Sequence, residues 1–223
     1  SRFETHFLRA RDKLAFFLLA FSPFLCFNYI SIFQEGVFMS KKISAKTIAI
    51  SGILIALSVL WTWFMPTLDL GLYWSFTPLS HIFIFFAMMI SPAVAVLTAA
   101  GTVLGFFLKG ANYVLLMRAA SHIIFVVAGV LMLKKLNIVK PLQFLIFAVA
   151  TALIHAVTET AAVYIAIAAG LSIPENGMLY IWGATFAGTI GHSLLDCTVA
   201  YLISRLILKA HVVDMPPLMK ENH

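Results

Sequence analysis

NYVLLMRAASHIIFVVAGVLML, residues 112–133, carries one permanently charged side chain, Arg118, in an otherwise apolar run. As a helix it extends about 33 Å, enough to cross the ≈30 Å hydrocarbon core of a bilayer. Comparable runs recur along nearly the whole 223-residue chain, which is 62% hydrophobic and 11% charged, with a mean hydropathy of +1.00. That composition lies far from soluble domains, and the absence of alternating ten-residue segments argues for helices over a barrel. The chain reads as a single all-α membrane domain. Its net charge of +6 would suggest nucleic acid in a soluble protein; here it is a topology signal, and no nucleic-acid partner is implied. Cys26 and Cys197 both lie in apolar runs, so neither a disulfide framework nor a Cys-based metal site is supported.

Six spans are expected after Met39-Ser-Lys-Lys, which has the form of a natural start. They cover residues 44–64, 79–90, a third after Ser91-Pro92 to about Lys109-Gly110, 112–133, 142–169 and 178–209. The second is short for a membrane helix unless the preceding loop dips inward. Residues 39–210 form the six-helix domain, 211–223 a cytoplasmic tail, and 1–38 an upstream extension, with an added hydrophobic helix or a removed signal as alternatives. With Met39 inside, the cytoplasmic segments hold Lys41, Lys42, Lys46, Lys134, Lys135, Lys140, Arg205, Lys209 and Lys220, and the exterior loops hold Lys109. Both ends are then cytoplasmic by the positive-inside rule, and Trp61, Trp63, Trp74 and Trp182 fall near the exterior boundary, where aromatic belts sit.

Three spans carry polar pairs four residues apart, on one helical face: Arg118 with His122, His155 with Glu159, and His192 with Asp196. An ionisable group in hydrocarbon costs about 2.5 to 3.5 kcal/mol on insertion scales, so such groups face a bundle interior or a cavity. Counting rise along the helices puts Arg118 about 9 Å and His122 about 15 Å below the outer surface, near the heights of Glu159 and His155. These four are expected to form an outward-facing pocket, with His192 and Asp196 holding helices together or sensing the bound state. Arg118 either snorkels to the outer headgroups or turns inward, where its fork suits a carboxylate. Glu159 is either a structural partner of Arg118 or a ligand group. His81, beside Ser80, is either packing or ligand at the mouth of the second span. The histidines and acids supply enough donors for Zn, Ni or Co. Yet no His-x3-His pair occurs on one helix and Arg118 would repel a cation, so no metal site is expected. An intramembrane metalloprotease would need His-Glu-x-x-His, which the chain lacks, and no enzymatic activity or cofactor is implied.

On the first span Ala45, Ala49, Gly52 and Ala56 form small-xxx-small pairs, which suit close approach of another helix, either within the chain or from a partner.

Thr77-Pro-Leu-Ser-His81, Ile90-Ser-Pro92, Gly101-Thr-Val-Leu-Gly105-Phe-Phe and Arg118-Ala-Ala-Ser-His122, set in six spans after Met39, carry a family resemblance. Residues 40–210 resemble the substrate-binding S components of energy-coupling factor (ECF) vitamin transporters, most of all the niacin-specific branch. The resemblance implies a plasma-membrane subunit that binds a vitamin and delivers it by toppling, powered by a transmembrane T component and two ATPases. The chain contains no Gly-x4-Gly-Lys-[Ser/Thr] loop, which fits energy supplied in trans. Gly52 and Ala56 match the family's Ala-x3-Ala contact for the T component, with Gly in place of the first Ala. Nicotinate needs a cation for its carboxylate, a hydrogen-bonding partner for its ring nitrogen and aromatic walls. Arg118, His122 or His155 with Glu159, and Tyr73 or Trp74 could supply them, with His81 nearby and the loop around Gly71 and Trp74 as a lid. The alternative is a stand-alone secondary transporter or transition-metal ion carrier that uses Glu159 and Asp196 as coupling groups.

Overall fold

The computed structural model describes residues 45–69, 75–170 and 177–209. All of these lie within the unit Ile43–His223. The expectations for residues 1–38 and 211–223, and for Tyr73 and Trp74, lie outside the described residues.

Six helical rods make up the described residues, joined at one point by a minimal strand pair. They are α1 (Ala45–Phe64), α2 (Ile82–Ile90), α3 (Pro92–Leu108), α4 (Tyr113–Leu133), α5 (Pro141–Ala168) and α6. The last combines a turn, Gly177–Leu179, a π-helical run, Tyr180–Ala187, and an α-helical run, Gly188–Lys209. Local chemistry sets the joints. Ser91 caps α3 by accepting from the Val94 N–H, with Pro92 at the first helical position, and Asn112 caps α4 by accepting from the Leu115 N–H. Pro141 opens α5 in the same way. Between α1 and α2, β1 (Leu68–Asp69) and β2 (Ser75–Phe76) pair antiparallel, Leu68 opposite Phe76.

Four rods are long and apolar enough to cross a membrane: α1, α4, α5 and the Gly177–Ile207 run of α6. Apolar side chains such as Leu104, Phe107, Leu142, Val157 and Leu206 point outward, as lipid contact requires. The molecule is thus a helical membrane bundle. The expected second span differs: α2 has nine residues, about 14 Å of helix, and does not cross a bilayer by itself. It is instead the buried centre of the bundle, with Ile84, Phe85, Ala87, Met88 and Met89 fully covered by α1, α3, α4 and α6. The chain reaches its start by dipping inward through the turn Thr77–Ser80, where Leu79 adopts φ 59°, a left-handed conformation that costs a non-glycine residue on the order of 1 kcal/mol. A half-length central helix leaves space above its N-terminus.

Glycine lets α1 and α3 touch. A Cβ on Gly101 would lie 2.5 Å from Ile55 Cγ1, and one on Gly105 would collide with Val59 Cγ2. Within α3 Thr102 donates to the Thr98 carbonyl at 2.8 Å, so the 3.0 Å contact across the seam between the Ser58 and Thr102 hydroxyls has Ser58 as donor. Gly101→Leu is expected to lower stability by about 1 to 3 kcal/mol through overpacking. Thermal unfolding in detergent checks this, with a companion Ile55→Ala substitution restoring part of the loss.

Candidate functional site

The space above α2 is a cavity of about 320 Å³ at the hairpin end of the bundle, near the lower end of the ≈300 to 1,000 Å³ range of small-molecule sites. Five of the six helices contribute to its wall: Thr62 from α1, Thr102 and Phe106 from α3, Arg118 and His122 from α4, Glu159 from α5, and Thr189 and His192 from α6, while Ser80 and His81 lead into α2. Phe76 of β2 covers one side, its ring 4.7 Å from the His192 imidazole and nearly perpendicular to it. The strand pair thereby ties the α1–α2 connection to the cavity.

Glu159 is the hub on the α4–α5 side. Its Oε2 accepts from Arg118 at 2.9 Å and from Thr189 Oγ1 at 2.7 Å, while Oε1 lies 3.0 Å from His122 Nε2 and 3.5 Å from His155 Nε2. Three of these contacts are hydrogen bonds, and His155 Nε2 stands just beyond bonding distance. Glu159 pairs with the Arg118 guanidinium and the His122 ring and also lines the cavity. Both are almost wholly buried, so Arg118 does not snorkel to the surface.

A second acid organises the opposite side. Asp196 Oδ2 accepts the His81 backbone N–H at 2.9 Å, at the N-terminus of α2, where the helix dipole favours an anion. The same oxygen lies 3.4 Å from His81 Nδ1 and 3.3 Å from His192 Nε2, and those two ring nitrogens are 2.6 Å apart. Ser80 Oγ stands 3.2 Å from each. His81 joins the two sides, its Nε2 3.3 Å from His122 Nε2 and its ring within 4.5 to 4.7 Å of the centroids of His122, His155 and His192.

The structure gathers Arg118, His122, Glu159 and His81 of the expected residues on one cavity. His155 is placed differently: it is completely buried beneath Glu159, stacked on Phe125 at 4.2 Å and bonded to Ser193 Oγ at 2.5 Å, and it does not line the cavity. His192, expected to hold helices together, does line it. For His192, a π-helical run precedes it on α6, and its wider turn shifts the phase of the later residues relative to a regular helix. Sequence reasoning also missed Lys109, which lines the cavity and donates from Nζ to the Thr62 carbonyl at 2.5 Å, and the hydroxyl groups of Ser80 and Thr189. The signal for Lys109 was its position as the one basic residue between the third and fourth expected spans, beside Gly110, whose φ of 76° makes the α3–α4 turn. Hydroxyls carry no comparable signal in a sequence.

The described residues thus form a helical membrane bundle around a polar cavity of small-molecule size, with two cations and three imidazoles on its wall. The chain is 28% identical over 179 residues to the niacin transporter NiaX of Lactococcus lactis subsp. cremoris (strain MG1363), an alignment that covers 79% of this chain and 81% of that protein. The resemblance to the niacin branch read from the sequence is borne out by this similarity to a niacin transporter. No family model and no solved structure matches the chain.

Proposed function

We propose that the chain is the S component of an ECF transporter, a plasma-membrane subunit that binds nicotinate and surrenders it to an ATP-driven partner module. The observation that carries this reading is the pairing of Arg118, held in place by Glu159, with a ring-sized polar cavity in a chain similar to a niacin transporter. In this reading the nicotinate carboxylate meets Arg118, with Lys109 adding positive potential at the α3–α4 end. The pyridine ring lies against Phe76 and Phe106, and its nitrogen accepts a hydrogen bond from an imidazole N–H of His122, His81 or His192. Tyr73 and Trp74 belong to the connection that includes β1 and β2 and would close over the ligand. The chain passes the membrane six times, with α2 and the inward-dipping turn before it as one passage and both ends cytoplasmic, as the lysine distribution favours.

Purified protein is expected to bind nicotinate saturably, with thermal stabilisation following the ligand-to-Kd ratio, about 2.7 kcal/mol at a hundredfold excess over Kd. Absence of binding would remove niacin as the cargo. In proteoliposomes, nicotinate uptake is expected when a T component and its ATPases are co-reconstituted with ATP, and not with this chain alone. Uptake by the chain alone would instead establish the stand-alone carrier.

A further inference from the structure

Three electronegative atoms crowd together where His81 and His192 meet the buried Asp196, at the edge of the cavity. His81 Nδ1, His192 Nε2 and Asp196 Oδ2 form a triangle with edges of 2.6, 3.3 and 3.4 Å, and Ser80 Oγ lies 3.2 Å from both nitrogens. A neutral imidazole N–H suffices to bridge any two of these atoms. One proton can bridge a single edge of the triangle, whereas one metal ion satisfies all three. Donors on a tetrahedral Zn²⁺ at bond lengths of about 2.0 to 2.1 Å stand roughly 3.3 Å apart, which matches the two edges to Asp196, while the 2.6 Å edge between the nitrogens would have to open on binding.

Two further observations point the same way. Asp196 is fully buried, and its Oδ1 has no hydrogen-bond partner among the described residues. A second carboxylate oxygen is thus available to bind the ion as well. His192 Nδ1 is likewise buried without a partner among the described residues. The neighbouring set of His81, His122, His155 and Glu159 also brings its donors within 4.8 Å of one another. There, however, the carboxylate already holds the Arg118 guanidinium at 2.9 Å, and a dication would sit against a fixed positive charge. At Asp196 the carboxylate meets a backbone N–H and two imidazoles. The repulsion from Arg118 that argued against a metal in the sequence therefore falls on the Glu159 set.

We propose that His81, His192 and Asp196 form a binding site for a divalent first-row transition-metal ion such as Zn²⁺ or Co²⁺, with Ser80 beside it. Two imidazoles and a carboxylate are a fitting ligand set for such ions, and because His81, His192 and Ser80 line the cavity, the remaining coordination position opens into it. The proposal does not depend on nicotinate being the cargo.

The test is a Co²⁺ titration of the metal-stripped full chain in detergent, followed by visible absorption. One Co²⁺ per chain is expected, with the intensified d–d bands of a four- or five-coordinate centre, and Zn²⁺ displacing it. His192→Ala and Asp196→Asn are each expected to weaken binding by about 100-fold or more, since removal of even an outer-shell partner commonly costs 10- to 100-fold. Glu159→Gln is expected to weaken Co²⁺ binding less than Asp196→Asn does. A titration that does not saturate, or a spectrum like that of aqueous Co²⁺, would overturn the proposal on the wild-type protein alone, whatever the variants do. Binding lost in Glu159→Gln but retained in Asp196→Asn would overturn it too, by placing the ion in the other set.

Discussion

Arg118→Ala is expected to raise the Kd for nicotinate by at least about 100-fold and to destabilise the protein by ~3 to 5 kcal/mol, and the two effects should separate in a double variant. The stability loss arises because Glu159, fully enclosed between α4, α5 and α6, would keep its charge without the guanidinium that compensates it. Replacing both partners, Arg118→Ala with Glu159→Gln, removes the orphaned charge and is expected to return most of the stability. Affinity should not return, because the cation that recognises the carboxylate is still missing. Arg118→Lys should fall between the two, retaining charge but losing the planar fork. Thermal unfolding with and without nicotinate reads both quantities at once. If the double variant binds as tightly as wild type, the Arg118–Glu159 pair is structural and the carboxylate lies elsewhere, with Lys109 the remaining cation on the cavity wall.

The helices of this protein were legible because each apolar run ends in residues with a single structural meaning. Ser91-Pro92, Asn112 and Lys140-Pro141 place three helix starts to within a residue, since a cap or an N1 proline leaves little freedom. Arg118, His122 and Glu159 were legible for a related reason: charge inside an apolar run must be answered, and four-residue spacing says from which face. Depth was less legible than face. His81 sits at the mouth of its span as the sequence suggests, yet the turn through Leu79 carries that mouth into the middle of the polar cluster. On α6 the π-helical run rotates His192 onto the cavity, whereas on the regular α5 His155 falls one turn below Glu159 and behind it. Backbone irregularities of this kind depend on packing between segments far apart in sequence, and local periodicity does not report them.

The exposed face of α1 yields the other large effect. Gly52→Leu and Ala56→Trp are each expected to reduce ATP-driven nicotinate uptake by more than about tenfold, equivalent to ~1.4 kcal/mol of lost association, while Kd for nicotinate stays within threefold. Ala45, Ala49, Gly52 and Ala56 all lie on the exposed side of the helix, and a Cβ on Gly52 would meet nothing within 4 Å. The seam with α3 uses other residues, Ile55, Ser58 and Val59, so small side chains at 52 and 56 are not required by packing within the described residues. Small residues on a helix surface let a second backbone approach closely and gain dispersion contacts, and a bulky side chain there removes the approach without touching the cavity, which lies at the far end of the helix beside Thr62. Lipid makes no such demand, because acyl chains accommodate Leu or Trp as readily as Ala. The two surroundings therefore give opposite results: uptake unchanged by both substitutions would mean that this face meets lipid alone, whereas uptake lost with binding and thermal stability intact would locate the contact through which the partner module acts.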